Sequence, residues 1–465
     1  MAEIIYILYI GYLLLTISLI LFSRKTPILR FSWMVFVLFV PVVGLILYLI
    51  IGSETVLSYR KDRIQKKHGD ALKALEAMAS SKDSGGDSLL KNYCGSKATA
   101  DNEVVVFTDG TSKYQSLFND LRQASDSIHV QYFSINRGEV GQELISILAN
   151  KAQAGIEVKL LYDSIGCFFN FVQPLLKKLK QAGGQVAAIK PHALDVNNRN
   201  HRKIVVIDGE IGYTGGMNIG DGYRDGIGNK SWRDTHLRVT GGAVHQLQRV
   251  FLTDWLVSAK DSCLRNELPH YFPENISKGN MNVQIVANGL RGKYDSNDII
   301  NFSYFHLISR ARERVWIQTP YFAPTDIILE TLRGLARAGI DVRIMTSSSF
   351  VFGGLFHSSI TNYFLRYLVN SGVKVYKHKG ILHAKTMVVD DNTACIGSVN
   401  LNSRSLIKDD EIYAYFDDRG FVSKCQTIFE KDINHCVELD YEKFRRQSIT
   451  SRALESAASL FSSLC

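Results

Sequence analysis

Two uncharged apolar runs open the chain. Residues 4–22 (IIYILYIGYLLLTISLILF) hold 19 positions without a charge, and residues 31–52 hold 22, with Pro41 and Gly44 inside. At 1.5 Å per residue, a helix over the first run reaches about 28 Å, the thickness of a bilayer core. The pattern predicts two transmembrane helices, over 1–22 and 31–52. A cleavable signal peptide fits poorly, because the basic leading region is missing and a second run follows. Arg24, Lys25 and Arg30 lie between the runs; Arg60, Lys61, Arg63, Lys66, Lys67 and Lys73 follow the second. Six basic residues against three place both termini on the cytoplasmic side.

The pattern then changes. Residues 53–100 read as a basic, partly helical stalk (ALKALEAMA) followed by a flexible linker, SSKDSGGDS, at 80–88. Beyond 100, short apolar strands alternate with amphipathic helices, and the alternation occurs twice. SIHVQYFSI and IEVKLLYD in the first copy answer RVWIQTPYF and IDVRIMTS in the second. Such a spacing is a tandem duplication and not a short solenoid period. Strand–helix alternation argues for α/β halves with a buried sheet. We place the halves at 101–270 and 280–440, related by a pseudo-twofold axis. A C-terminal helix follows at 441–465, where Ala453, Leu454, Ala457, Phe461 and Leu464 recur at helical spacing. Its serine-rich polar face favours packing on the domain over lying in a membrane interface.

Composition narrows the class. The chain is 46% hydrophobic and 21% charged, which excludes wholesale disorder. A net charge of +9 favours an anionic partner, nucleic acid or acidic lipid. The seven cysteines show no Cys-x2-Cys pair, so neither a disulfide framework nor a structural zinc site is indicated.

The candidate chemistry lies in a motif that also occurs twice. HRKIVVIDGEIGYTGGMN sets His201, Lys203 and Asp208 in the spacing His-x-Lys-x4-Asp, followed by Gly215, Gly216 and Asn218. LHAKTMVVDDNTACIGSVN repeats it with His383, Lys385 and Asp390, followed by Gly397, Ser398 and Asn400. In an extended segment, His and Lys two apart point to one face. Two copies meeting across the pseudo-twofold would set two imidazoles opposite each other, with two ammoniums and two amides around them. That suits a phosphodiester. Lys203, Lys385, Asn218, Asn400 and Ser398 offset charge on the phosphate oxygens, one histidine attacks phosphorus, and the other protonates the leaving alkoxide. Lysine already supplies the positive charge, so no metal or other cofactor is required. Glu411, 28 residues after His383, and Asp234, 33 after His201, are the expected acceptors that orient the rings. Asp208 and Asp390 complete the motif but end their strands at turns, so their main role is expected to be bonding backbone.

These paired motifs and downstream acids resemble the phospholipase D superfamily, over roughly 100–440. RNHRKIVVID, GGMNIGD, WRDTHLRV, GILHAKTMVVDD and the N-terminal runs are similar to the bacterial cardiolipin synthases. The resemblance implies transphosphatidylation of two phosphatidylglycerols to cardiolipin and glycerol through a phosphatidyl-histidine, with His201 as nucleophile and His383 as acid, then base. It implies a multi-pass enzyme of the bacterial cytoplasmic membrane, with its catalytic halves facing the cytoplasm. Its partners would be phosphatidylglycerol and anionic membrane lipids, not nucleic acid, with self-association of the chain left open. A hydrolytic phospholipase D is the rival, with the same site and water as acceptor. The chain departs from the family at Asp221-Gly222-Tyr223, where an acid is expected after the aspartate; this loop is expected to touch no catalytic residue. CFFNF (167–171) and FVFGGLF (350–356) follow corresponding strands, and either form an apolar rim dipping into the membrane or pack in the core.

Overall fold

The computed structural model describes residues 2–23, 27–49, 69–79, 84–190, 198–259, 268–274, 278–289, 298–348 and 354–462. They fall into two units. One is Met1–Gly69 with Pro191–Arg199; the other is Asp70–Lys190 with Asn200–Cys465.

In the large unit the first half contributes β1 (Ala98–Phe107), β2 (Ser127–Tyr132), β3 (Glu157–Asp163), β4 (Gln185–Ile189), β5 (Ile204–Ile207), β6 (Ile211–Gly215), β7 (Trp232–Arg233) and β8 (His236–Thr240). The second contributes β9 (Met281–Ala287), β10 (Arg314–Gln318), β11 (Phe322–Ala323), β12 (Asp341–Ser347), β13 (Lys374–His378), β14 (Ile381–Leu382), β15 (Thr386–Val389), β16 (Thr393–Gly397), β17 (Leu401–Asn402), β18 (Ile412–Phe416) and β19 (Cys436–Glu438). One sheet runs through both, in the order β19-β13-β12-β10-β15-β16-β18-β9-β1-β8-β6-β5-β2-β3-β4. Read outward from the antiparallel β1–β9 seam, the two arms repeat the same order, and β19 alone is extra. This is the expected duplication.

The parallel strands β2, β3 and β10 are buried on both faces, because helices cover both; one face is apolar and the other carries polar side chains such as His129, Gln131, Lys159 and Gln318. Helices Gly110–Gln123, Glu139–Gln153 and Gln173–Gln181 bury one face of the first arm; Ile299–Ser309, Asp326–Arg337 and Gly354–Val369 do so for the second. Helices Ala243–Ala259 and Arg419–Ile433 share one core on the opposite face, where Val250, Phe251 and Trp255 join Val422 and Phe429. Each such side chain contributes roughly 1.5–3 kcal/mol on burial. The halves thus share a core and are not separate beads.

Two expectations change. The segment read as a stalk is partly core: Leu75 and Ala79 are buried, and Ala79 O accepts from the Gln246 amide. Asp87, in the supposed linker, caps the helix Ser88–Asn92 and pairs with His306 and Arg310. The C-terminal helix Ile449–Ser459 does pack on Gly354–Val369, but through Glu455, which pairs with Arg366, and Ala458. Its apolar stripe faces outward, with Leu454 and Phe461 exposed. A buried ion pair, not the stripe, sets its rotation.

The small unit begins with α1 (Ala2–Leu21), continuous over the first apolar run. The second run is not one helix. It breaks into α2 (Pro27–Phe39) and α3 (Pro41–Leu47), because Pro41 has no N–H and opens a new helix at its first turn. Among the described residues, no helix stands as a membrane span on length and hydropathy together.

Candidate active site

The exchange of short strands between halves builds the site. β14 pairs with β7, and Asn200 bridges to Asp410. Consequently the His201 N–H donates to Asp410 O (2.9 Å) and the His383 N–H to Arg233 O (2.7 Å). Each motif histidine is held by backbone that precedes the acid of the other half.

The side chains follow. His201 Nδ1 lies 3.0 Å from Glu411 Oε1 and 3.1 Å from Ser398 O. His383 Nδ1 lies 2.6 Å from Asp234 Oδ2. Both expected acids therefore meet a histidine, and each serves the opposite half. In each ring it is Nδ1 that meets the carboxylate, and Nε2 is the nitrogen turned from the acid; His383 Nε2 lies 3.1 Å from Lys385 Nζ.

Lys203 Nζ donates to His201 O, and Lys385 Nζ to His383 O, both at 2.5 Å. Lys385 Nζ also lies 2.9 and 3.1 Å from the two ring nitrogens of His383. Both lysines are buried, with no carboxylate ion pair to either among the described residues. Burial lowers Lys203 to about 7 and Lys385 to about 8, against the pull of Glu411 on Lys203 and of Asp234 on Lys385. Burial and the neighbouring lysines push His201 well below its ordinary value and His383 to about 4. Burial raises Glu411 to about 7, whereas Asp234 is held low by His383 and Lys385 despite its own burial. Lys385 bears on His201 and Lys203 on His383, so the two half-sites form one electrostatic cluster.

Other expected residues sit differently. Asp208 and Asp390 lie at the far ends of the motif strands, away from the histidines. Both are left-handed, at φ 54° and 49°. Asp208 accepts from the N–H groups of Ser125, Asp126 and Ser127 (each 2.9 Å), and Asp390 from Arg312, Glu313 and Arg314 (2.8–2.9 Å). They fasten the entries to β2 and β10, the backbone role expected of them, and are not positioned for the chemistry. Ser398 is not free for phosphate: its hydroxyl donates to Glu411 and also contacts Ile412 O (3.2 Å). Gly216 takes the matching place in the first half, where a Cβ would lie 2.0 Å from Asp234 Oδ1. Asn218 spends its amide N–H on Tyr223 Oη (2.8 Å), whereas the buried Asn400 Oδ1 has no protein partner.

Several site residues were not foreseen. Tyr223 packs edge-on against His383, with ring centroids 5.8 Å apart, and Trp232 lies 5.4 Å from the same ring. The loop expected to touch no catalytic residue thus walls one of the histidines. Phe133 meets His201 edge-on at 5.0 Å, under Lys203. Arg202 pairs with Asp254 and donates to Asn288 O and Glu411 O; Arg233 pairs with Asp432 and donates to Asp234 O. Gln131 and Gln318 brace those two aspartates at 2.8 and 2.7 Å. These arginines tie the halves together directly beneath the acids. Of the two aromatic loops, Phe168, Phe169 and Phe171 are about 70–80% exposed, which disfavours core packing there. Phe350 and Phe352 lie outside the described residues; Leu355 and Phe356 are exposed.

Residues 117–255 and 304–433 match the family described as cardiolipin synthase, PLD-like domain, and residues 10–53 match phospholipase D-nuclease N-terminal. The chain is 34% identical to cardiolipin synthase 2 of Staphylococcus epidermidis, covering 96% of this chain and 94% of that one. It is also 34% identical to the major cardiolipin synthase ClsA of Bacillus subtilis, over 97% and 96%. Among solved structures, phosphatidylserine synthase of Haemophilus influenzae shares the fold, with a TM-score of 0.60 and 16% identity over 78% of this chain and 95% of that one. The chain belongs to the bacterial cardiolipin synthase family of the phospholipase D superfamily.

Proposed function

We propose that this enzyme joins two phosphatidylglycerols into cardiolipin and glycerol through a phosphatidyl-histidine. The single observation that carries the mechanism is the pair of crossed imidazole–carboxylate contacts around two buried lysines. The first diester settles between Lys203 and Lys385. Its charge favours protonation of His383, whose imidazolium is also stabilised by Asp234. His201 Nε2 attacks phosphorus, the bond to the glycerol oxygen breaks, and His383 gives that oxygen its proton. Glycerol leaves. His383, now neutral, takes the proton from the primary hydroxyl of a second phosphatidylglycerol. The alkoxide attacks phosphorus, the phosphorus–nitrogen bond breaks, and His201 is restored. One diester is exchanged for another, so no nucleotide energy is consumed.

The asymmetry of the acids supports His201 as nucleophile. Asp234 stays ionised and suits the ring that must hold a proton, whereas Glu411 titrates near 7 and shares its charge with Ser398. Asp208 and Asp390 act through the backbone they fasten, and Asn400 offers the phosphate its amide N–H, since its Oδ1 can only accept. The apolar small unit attaches the enzyme to the bacterial cytoplasmic membrane, with the catalytic halves on the cytoplasmic side. α1, at 20 residues or about 30 Å, approaches the thickness of a bilayer core. Phe168, Phe169 and Phe171 dip toward the lipid beside the site. Incubating the purified protein with headgroup-labelled phosphatidylglycerol tests the reading. Cardiolipin with free glycerol is expected; phosphatidic acid with glycerol would identify a hydrolase instead.

A further inference from the structure

The apolar N-terminal unit does not have the geometry of two antiparallel spans. Arg30 Nη1 donates to Leu21 O (3.0 Å), so α2 starts beside the end of α1. The Tyr12 hydroxyl donates to Pro41 O, so α2 ends beside the middle of α1. α3 then returns. Tyr48 Oη donates to Leu19 O (3.3 Å), and its ring lies 5.4 Å from that of Trp33. Ile20, Val37 and Tyr48 form one small core. In a straight helix, residues 33 and 48 would stand about 22 Å apart at 1.5 Å per residue.

The sharpness of the reversal has a local cause. Gly44 lies against α2 so closely that a Cβ there would come 3.1 Å from Val37 Cα. Pro41 brings no N–H to the bend, and its carbonyl is taken by Tyr12. The Val40 N–H donates to Phe36 O (2.9 Å) and the Gly44 N–H to Val40 O (2.7 Å). A bend in hydrocarbon must satisfy its polar backbone groups within the protein, and this one satisfies those named. From Leu21 to Tyr12 the hairpin travels about nine residues of α1, roughly 14 Å, or half a bilayer core.

We infer that α2 and α3 form a re-entrant hairpin that enters and leaves the membrane on one face. The inference rests on the reading that this unit is membrane-embedded, and it goes beyond that reading by changing the path of the chain. It revises the topology expected from charge. With a second full span, Arg24, Lys25 and Arg30 face away from the six basic residues that follow. With a hairpin, all nine lie on one side, as the positive-inside tendency favours. The partner is the acyl region of the cytoplasmic leaflet. The exposed apolar faces of α2 and α3, including Phe31, Phe39 and Val42, meet it.

The test uses the full chain carrying Ser23→Cys or Ser53→Cys, one on each side of the hairpin. A membrane-impermeant maleimide is applied to spheroplasts and to inverted vesicles, and labelling is read peptide by peptide, so native cysteines do not interfere. Cardiolipin output of each variant is measured alongside as a check on folding. The hairpin predicts that both positions are at least ten-fold better labelled in inverted vesicles. Labelling of Ser23→Cys only in spheroplasts would overturn it and restore two spans. Equal labelling of both positions in both preparations would overturn it by showing that the unit is not embedded. Loss of cardiolipin output in the unmodified chain would instead refute the proposed activity, whatever the labelling pattern.

Discussion

Replacing Asp234 by Asn tests the assignment of the acid. Asp234 divides its oxygens: Oδ1 accepts the Thr235 N–H at 2.7 Å, and Oδ2 accepts His383 Nδ1 at 2.6 Å. Asparagine has one acceptor for these two donors and no charge. Either Thr235 N–H is left facing an NH2, or His383 is. A buried hydrogen bond to a charged group contributes about 1.5–3 kcal/mol, and breaking a buried pair costs about 3–5 kcal/mol. A loss of about 3 kcal/mol from the transition state slows turnover about 150-fold at 1.36 kcal/mol per decade. The assay compares phosphatidylglycerol with a phosphatidyl-p-nitrophenol, whose leaving group needs no proton. Asp234→Asn should lose about two decades on the first substrate and less than about five-fold on the second, read in the step that releases the alcohol. Equal loss on both would refute the role of the Asp234–His383 pair as acid.

Three further outcomes follow. His383 is lowered in the folded protein to about 4 from 6.5, so the unfolded chain takes up that proton first. Stability from this group is complete above about 6.5 and is lost as pH falls toward 4, by about 3 kcal/mol. Glu411, raised to about 7 from 4.5, has the opposite sign: its contribution is complete below about 4.5 and declines as pH rises toward 7. Thermal melts should therefore show wild type losing stability relative to His383→Asn between pH 6.5 and 4; parallel curves would contradict this. Asp208→Ala leaves three N–H groups without their acceptor and should lower stability by about 2–3 kcal/mol, while the folded fraction keeps kcat within about three-fold. A hundred-fold fall in kcat with an unchanged melting temperature would make Asp208 catalytic. Phe168→Ser combined with Phe169→Ser should weaken turnover of liposomal substrate about ten-fold and spare a short-chain diester, because about 1.4 kcal/mol of lost apolar contact is one decade. Equal loss on both substrates would indicate packing.

The motif was legible because it occurs twice: His201 and His383, Lys203 and Lys385 recur together with their acids. What the sequence could not convey was which acid meets which histidine. That depends on the β1–β9 seam and on β7 pairing with β14, contacts between residues about 150 to 190 apart. Tyr223 was hidden for a related reason. The loop was judged by its missing acid at Gly222, whereas the ring beside that glycine reaches the opposite half. Pro41 stood in plain view within the second apolar run, yet hydropathy counts length and not direction, so a hairpin reads like a span. The rotation of the C-terminal helix depends on Glu455 finding Arg366, an ion pair that apolar spacing does not report.

The central claim is a phosphoryl group carried briefly on an imidazole. Mixing the purified enzyme with phosphatidylglycerol, quenching within milliseconds under neutral denaturing conditions and mapping the peptides tests it most directly. A phosphatidyl group on His201 should appear with glycerol and decay as cardiolipin forms. Cardiolipin forming with no covalent species, or an adduct on His383 alone, would contradict it.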